Sequence, residues 1–166
     1  MKKLFLIRHA KSSWDDPELQ DIDRPLSSRG LRDAPQMAVL LKGMGIHPDR
    51  LVSSPANRAF TTASFFAAAF GIPASDILVD DNIYEAMPQD IVRIVHQIDD
   101  RYDTVLFFGH NPTLTSVANM FAESYIPNVP TCGIVGVQAE VAHWKEFNQS
   151  TGRLIGFYFP KQHLKE

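Results

Sequence analysis

The chain has 166 residues, 45% apolar and 21% charged, which is typical of a folded globular protein. Its net charge of −3 argues against a broad nucleic-acid-binding surface, because such a surface needs a basic stripe to neutralise phosphates. No apolar run approaches the ~20 residues that cross a bilayer or forms the core of a signal peptide, and the only cysteine, Cys132, cannot form an internal disulfide. We therefore expect one domain over residues 1–166 in a cytoplasmic protein, with no nucleic-acid or membrane partner and with Cys132 as a small buried residue.

The first predicted element is a short apolar strand, residues 4–7, followed at once by Arg8 and His9. Open α/β sheets bind ligands beyond the carboxyl ends of their strands, so this pair predicts an anion site. The following loop, residues 15–23, is rich in acids, and its composition is typical of a solvated connector. Arg24 is the exception, since a cation here can fold back towards an anion at His9.

A helix follows, capped by Ser27 or Ser28 and ended by Gly43 and Gly45. Pro35 predicts either a kink or a start near residue 34. The apolar stripe that we expect to face the core comprises Met37, Leu40, Leu41 and Met44.

Residues 49–53 predict a second buried strand, and a helix from about residue 56 to 70 follows it. Arg58 lies in the first turn of that helix, beside the carboxyl end of the strand. Helix N-termini favour negative charge, so this position favours anion binding over a plain surface role. A short strand at 77–79 and a helix from residue 88 to about 98 come next, with Glu85 between them and His96 expected to be exposed.

Residues 104–108 predict another buried strand, which ends in Gly109 and His110 before a helix at about 113–122. For a second time, a strand leads into a loop that carries a histidine. The tail alternates as two strands, 132–141 and 153–159. The alternation of strands and helices predicts an α/β protein: a single three-layer domain with a mostly parallel central sheet flanked by helices.

The polar groups at the predicted strand ends are dominated by cations and imidazoles, namely Arg8, His9, Arg58 and His110. Guanidinium groups bind phosphate oxygens in pairs, so this set predicts phosphoryl chemistry. Divalent metals prefer carboxylates or neutral histidines, and the sequence has no glycine-rich nucleotide loop. We therefore expect phosphoryl transfer with no metal, nucleotide or other cofactor.

Three motifs in this order resemble the histidine phosphatase (phosphoglycerate mutase-like) superfamily: Arg8-His9, residues 53–59 (SSPANRA) and residues 109–111 (GHN). Within it, the short length and the segments 23–30 (DRPLSSRG) and 109–112 (GHNP) are similar to the SixA-type phosphohistidine phosphatases. The resemblance spans about residues 4 to 122 and implies a phosphoglycerate mutase-like fold. Ala10 stands where many members have glycine, and because a small residue is kept we expect the turn to survive.

The resemblance also implies a mechanism. His9 would be the nucleophile and would form a phosphohistidine intermediate. Arg8, Arg58 and a protonated His110 would bind the phosphoryl oxygens and stabilise the transition state. Ester-cleaving members use an acid to protonate the leaving oxygen, and Glu85 is the candidate by its order in the chain, although a loop surface acid is a competing interpretation.

Two further residues complete the expected substrate-binding set. Arg24 would add positive potential at the mouth of the pocket, and Asn111 follows His110 within the matching motif.

The leading hypothesis is a metal-independent phosphatase that acts on phosphohistidine in a signalling protein, because the short chain has little material for a lid over the pocket. A general phosphomonoesterase or sugar-phosphate phosphatase on the same scaffold is the enzymatic alternative, and a mutase fits the missing lid less well. A phosphate- or phosphoprotein-binding module is the non-enzymatic alternative, but a binder has no need of His9. The oligomeric state stays open, with a monomer compatible, and the segment after about residue 123 forms either an extra sheet edge or part of the substrate pocket.

Overall fold

One six-stranded sheet lies at the centre of the computed structural model, which describes residues 1–164. Its strand order is β3-β2-β4-β1-β5-β6. The strands are β1 (Lys2–Arg8), β2 (Arg50–Ser53), β3 (Leu78–Val79), β4 (Thr104–Gly109), β5 (Ile134–Ala139) and β6 (Gly152–Tyr158). The first four are parallel, and β5 and β6 add an antiparallel edge, which confirms the expected mostly parallel sheet.

Helices cover both faces of the sheet, which gives the three predicted layers. They are α1 (Ser28–Gly43), α2 (Asn57–Ala69), α3 (Pro88–His96), α4 (Thr113–Asn119) and the short α5 (Pro160–His163). One hydrophobic core packs α1 and α2 against the sheet, and another packs α3 and α4 against the opposite face. Within residues 1–164, no helix is long and apolar enough to cross a membrane.

The period of two in a β-strand explains why the strand sequences are apolar throughout. In β1, Leu4 and Leu6 enter the core under α3 and α4, whereas Phe5 and Ile7 enter the core under α1 and α2. A strand that is buried on both faces needs apolar side chains at every position. This is why the run before Arg8 is continuous and why it positions the polar residues that follow it.

Several element boundaries differ from the sequence expectations. The helix over 28–43 includes Pro35 and begins after an N-cap at Ser27, whose side chain accepts from the Gly30 amide at 3.2 Å, so the later start near residue 34 was wrong. The third and fourth long helices are shorter than expected and end at His96 and Asn119. The two tail strands cover residues 134–139 and 152–158. The first is shorter than the expected range 132–141, and the second is shifted by one residue from the expected range 153–159.

The burial of three side chains bears on the sequence expectations. Met44 is 40% exposed, because it follows the last residue of α1, so it is not a core residue. His96 is half-buried rather than exposed, and its Nε2 lies 2.8 Å from the carbonyl oxygen of Phe147. Cys132 is buried as expected, and burial raises the pKa of its thiol far above the ordinary value, which makes it a poor nucleophile.

Candidate active site

The carboxyl ends of the three central parallel strands bring the site together. Arg8 ends β1 opposite Gly109 of β4, and Ser53 ends β2 opposite Phe108 of the same strand. The residues that follow these strands therefore lie side by side at one edge of the sheet. This arrangement brings His9 and His110 together across a hundred residues of sequence, with 5.2 Å between their ring centroids.

His9 is fixed by backbone and side-chain hydrogen bonds and is only 8% exposed. Its amide donates to the Gly109 carbonyl at 3.1 Å, and its carbonyl accepts from the Cys132 amide at 3.0 Å. Its Nδ1 lies 2.8 Å from the Ala10 carbonyl oxygen. Because a carbonyl only accepts, Nδ1 carries the proton of the neutral ring and Nε2 keeps its lone pair.

The environment of His9 keeps that ring neutral. Burial, together with the smaller effects of the nearby His110, Arg58 and Arg8 charges, lowers its pKa to about 3, against a hydrogen bond to Ala10 that raises it. A neutral imidazole with a fixed tautomer is the state in which Nε2 can attack an electrophile.

Thr62 positions the turn that carries His9, and the sequence reasoning missed it. This fully buried residue of α2 accepts from the Ala10 amide at 3.0 Å and donates to the Arg58 carbonyl at 2.8 Å. The Ala10 peptide thus binds Thr62 through its amide, while the Ala10 carbonyl binds His9. A threonine in the middle of a helix gives no sign of this role, since helical threonines commonly bond within their own turn.

Arg58 lies in the first turn of α2, as predicted, and is 8% exposed. Its Nη1 donates to the Asp21 backbone carbonyl at 2.7 Å and its Nη2 donates to Asp21 Oδ2 at 3.0 Å. Sequence reasoning had placed Asp21 among solvated loop acids. Arg58 lies 37 residues away in the sequence, so the sequence pattern does not reveal this contact.

His110 follows β4, and its Nε2 lies 2.7 Å from the hydroxyl oxygen of Ser54. That oxygen also accepts from the Ala56 amide at 3.2 Å. Burial and, after it, the Arg58 charge lower the pKa of His110 to about 4, so the ring is neutral at pH 7 in this structure. The expected protonation of His110 therefore does not hold in the ligand-free site, and its protonation beside a bound phosphoryl group stays a prediction.

Arg8 is half-buried, and its Nη1 donates to the Val129 carbonyl at 3.0 Å. Within residues 1–164, two buried nitrogens at the site have no hydrogen-bond partner, Arg8 Nε and His110 Nδ1. An unpaired buried polar group costs free energy, and an oxyanion is the kind of ligand that would satisfy a guanidinium N–H. The segment before β5 thus contributes to the site by orienting Arg8.

Asn111 does not present its amide to the pocket, in contrast to the predicted substrate-binding role. Its Nδ2 donates to Asn128 Oδ1 and to the Val129 carbonyl, both at 2.9 Å. Its Oδ1 accepts from the Thr115 hydroxyl at 2.9 Å and from the Thr115 amide at 3.2 Å. The side chain is already bonded internally, so its contacts assign it to the loop that holds Arg8.

Arg24 is likewise engaged within its own loop, which corrects the prediction of direct substrate binding. It is 6% exposed, and its three nitrogens donate to the Ser13 carbonyl, the Ser12 hydroxyl and Asp21 Oδ1 at 3.0, 2.6 and 3.1 Å. The guanidinium also stacks on the indole of Trp14, 3.2 Å from the ring centroid. Arg24 therefore holds the loop that carries Asp21.

Glu85 lies on the surface with a left-handed backbone, φ +58°. The residue lines a polar depression together with Asp81, Asp90 and Arg93. The neighbouring Tyr84 reaches the site instead: its ring packs against His110 with 5.7 Å between centroids. The acid role of Glu85 stays a prediction.

The donor set is not that of a metal centre. Among residues 1–164, no group of three or more His, Cys, Asp or Glu side chains could hold a metal ion. The groups that converge are two guanidiniums and two neutral imidazoles, and cations of this kind suit an anion.

Comparison with known proteins agrees with this fold. The model of the histidine phosphatase superfamily (branch 1) matches residues 4–91. The chain is 33% identical over 153 residues to an uncharacterized chloroplastic protein of Arabidopsis thaliana, covering 87% of this chain and 70% of the relative. It is 30% identical over 165 residues to an uncharacterized protein of Mycobacterium tuberculosis, covering 93% of this chain and all of the relative.

Among solved structures, the proposed phosphohistidine phosphatase SixA of Agrobacterium tumefaciens superposes with a TM-score of 0.80 at 28% identity, covering 96% of this chain and 98% of that one. The chain therefore belongs to the histidine phosphatase superfamily, and the resemblance to its SixA-type members is confirmed. Membership of this class supports phosphatase activity.

Proposed function

We propose that the protein is a metal-independent phosphatase that works through a phosphohistidine on His9, and that its substrate is a phosphohistidine on a signalling protein. The observation that carries the proposal is the state of His9. Its ring is neutral, its Nδ1 proton is bonded to Ala10, and its Nε2 lies among cations. Such a ring is a nucleophile prepared for an anionic electrophile.

In the first step, the Nε2 lone pair of His9 attacks phosphorus. The new N–P bond forms as the P–N bond to the substrate imidazole breaks, and the departing imidazole takes up a proton from solvent. In the second step, water attacks phospho-His9. The P–N bond breaks, inorganic phosphate leaves, and His9 returns to its neutral form with Nδ1 still bonded to Ala10.

Arg8, Arg58 and His110 stabilise the charge on the transferring group. Arg8 and Arg58 supply fixed positive charge close to His9, since both charges act on its pKa. A bound phosphoryl dianion favours the charged form of a neighbouring imidazole, so His110 takes up a proton when the substrate binds and then donates to a phosphoryl oxygen. The unpaired nitrogens of Arg8 and His110 support this assignment.

The groups near the site favour a substrate with a good leaving group. A hydrogen bond from Tyr84 lowers the pKa of Asp21 to about 2, so Asp21 is ionised at neutral pH and has no proton to give. The same bond raises the pKa of Tyr84, which makes the phenol a weaker acid. An alkoxide leaving group needs a proton donor, whereas an imidazole leaves more easily. The name of the Agrobacterium relative agrees with a phosphohistidine substrate.

Trapping the intermediate tests the mechanism. Brief incubation with a phosphohistidine-bearing protein in EDTA, followed by alkaline quench and intact-mass analysis, should show one phosphoryl group on the wild-type chain. His9→Ala should abolish both the adduct and turnover while still binding phosphate. His47→Ala is the matched control, because His47 is exposed and lies outside the site, and it should keep the adduct. An active His9→Ala protein, or loss of activity in EDTA, would overturn the mechanism.

A substrate panel tests the substrate class. The rates on a phosphohistidine protein and on an acyl phosphate should both exceed the rate on a sugar phosphate, because imidazole and carboxylate are better leaving groups than an alkoxide. Glu85→Gln should slow the ester more than the P–N substrate if Glu85 is the acid, and equal losses would remove it from that role. A preference for the sugar phosphate would favour the general phosphomonoesterase instead.

A further inference from the structure

Asp21 contacts residues of the candidate active site, although none of the sequence motifs includes it. It opens a single 3-10 turn, Asp21–Asp23, in the loop after β1, and its side chain is 48% exposed. A half-exposed loop carboxylate is ordinarily solvated. This one is bonded instead to Arg24 at the end of the same turn and to side chains from two other parts of the fold, Arg58 and Tyr84.

Asp21 accepts two hydrogen bonds from the terminal nitrogens of the Arg58 guanidinium. Nη1 donates to the Asp21 main-chain oxygen and Nη2 to Oδ2, so both terminal nitrogens are oriented by one residue. Two bonds to one planar group fix its rotation as well as its position. The Arg58 Nε–H and one hydrogen on each terminal nitrogen are left for a phosphoryl group.

The carboxylate is itself held from both sides. Arg24 donates to Oδ1 at 3.1 Å and is stacked on Trp14, while the Tyr84 hydroxyl donates to Oδ2 at 2.5 Å. The Tyr84 ring packs edge-on against His110. One carboxylate therefore contacts Arg58 directly and His110 through Tyr84.

We infer that Asp21 is a positioning residue, which aligns Arg58 directly and His110 through Tyr84 for phosphoryl transfer. The inference rests on the proposed function, because it assigns Arg58 and His110 to the transferring group. The opposite role for Asp21 would be competition, in which its carboxylate occupies Arg58 and hinders binding of the phosphoryl group. Alignment and competition predict opposite effects when the carboxylate is removed.

The test measures kcat and KM on p-nitrophenyl phosphate for Asp21→Ala, Asp21→Asn and Tyr84→Phe. Asp21→Ala should lower kcat by roughly tenfold to a hundredfold, the loss expected from a small misplacement of a catalytic group. Asp21→Asn keeps an oxygen for Arg58 and Tyr84 and should recover part of the loss. Tyr84→Phe keeps the ring against His110 but frees the carboxylate, so it should fall between wild type and Asp21→Ala.

A second readout separates alignment from general damage to the fold. The Asp21 charge raises the pKa of His110 against burial, so the imidazole of His110, followed by NMR, should titrate at lower pH in Asp21→Ala. Asp23→Ala is the matched control: it removes an exposed carboxylate from the same turn, and the side chain that it removes makes no hydrogen bond within residues 1–164. It should leave kcat and the His110 titration unchanged.

The outcomes divide cleanly. A wild-type protein without turnover on any phosphate substrate would overturn the proposed function, and this inference with it. Wild-type turnover with an Asp21→Ala kcat equal to or above it would overturn the inference alone, and a raised kcat would assign Asp21 as a competitor. A lowered kcat in Asp23→Ala as large as that in Asp21→Ala would also overturn it.

Discussion

The ring centroids of His9 and His110 lie 5.2 Å apart, with an angle of 53° between the ring planes, and both imidazoles are neutral at pH 7. Two buried imidazoles beside two guanidiniums form a site that favours the binding of an anion. Burial, more than any single neighbour, lowers the pKa of each ring. The same burial that leaves His9 nucleophilic therefore also makes the fold sensitive to acid.

We expect the free energy of unfolding to fall as the pH drops from about 6.5 towards 4. In that window the unfolded chain binds protons on His9 and His110, with an ordinary pKa of 6.5, whereas the folded chain, with values of about 3 and 4, does not. Stability rises with pH wherever the unfolded state binds more protons, so the contribution is complete above about pH 6.5 and is lost below it.

Urea unfolding at a series of pH values checks this. His9→Gln and His110→Gln each remove one titrating ring, so each should flatten the dependence of the unfolding free energy on pH. A slope that neither variant changes would mean that the rings are protonated in the folded protein, contrary to the burial argument.

Thr62→Val should reduce both stability and kcat. Valine has the same shape but leaves the buried Ala10 amide, now bonded to the Thr62 hydroxyl at 3.0 Å, without an acceptor, at a cost of about 1–3 kcal/mol. The turn that orients His9 Nδ1 would loosen, so kcat should fall even under conditions where the variant is folded.

Two variants calibrate that result. Thr62→Ser keeps the hydroxyl and should retain most of kcat. Thr61→Val removes a neighbouring hydroxyl whose one hydrogen bond within residues 1–164 is to Asn57, at 2.9 Å and near the surface, so it should change neither quantity much. Unfolding free energy and steady-state rates are measured for all three. Equal kcat losses in Thr61→Val and Thr62→Val would refute the role of the Ala10 turn.

The parts of the site that the sequence predicts are those set by periodicity and by strand ends. Arg8 and His110 follow continuous apolar strands, and parallel strands bring their carboxyl ends to one edge. The first turn of the helix after β2 likewise predicts Arg58, and the matching motifs added the order of the three segments. Local pattern is enough here because each residue adjoins the element that positions it.

What the sequence does not reveal are contacts across loops. Asp21 reaches Arg58 over 37 residues and Tyr84 over 63, and an acid in a polar loop looks the same whether solvated or bonded. Asn111 was misassigned for a related reason: a motif position gives the residue but not the direction of its amide. The protonation of His110 could not be read either, since burial decides it.

Gly30→Ala should destabilise the protein through a backbone clash. A β-carbon on Gly30 would overlap the carbonyl oxygen of Lys11, which accepts from the Ser27 amide at 2.8 Å. A main-chain atom cannot rotate away, so α1 or the loop two residues after His9 must move. We expect a loss of about 1–3 kcal/mol, as for overpacking, together with lower kcat.

Gly43→Ala is the matched control, because a β-carbon there meets no atom within 4 Å at the end of the same helix. Alanine is the better helix former, so this variant should be as stable as wild type or more stable by up to about 1 kcal/mol. Thermal and urea denaturation measure both. A Gly30→Ala protein as stable as Gly43→Ala would show that α1 does not press against the loop.

Asn111→Ala distinguishes a loop-holding asparagine from one that binds substrate. The change removes hydrogen bonds to Asn128, Val129 and Thr115. Because partly buried donors and acceptors lose their partners, the free energy of unfolding should fall by about 1–3 kcal/mol. The Val129 carbonyl also accepts from Arg8 Nη1, so Arg8 loses its fixed orientation and kcat should fall with stability. Asn82→Ala, in which an exposed asparagine is truncated, should change neither. If Asn111 instead touched the substrate, Asn111→Ala would weaken phosphate binding, measured by calorimetry, while the unfolding free energy stayed at the wild-type value.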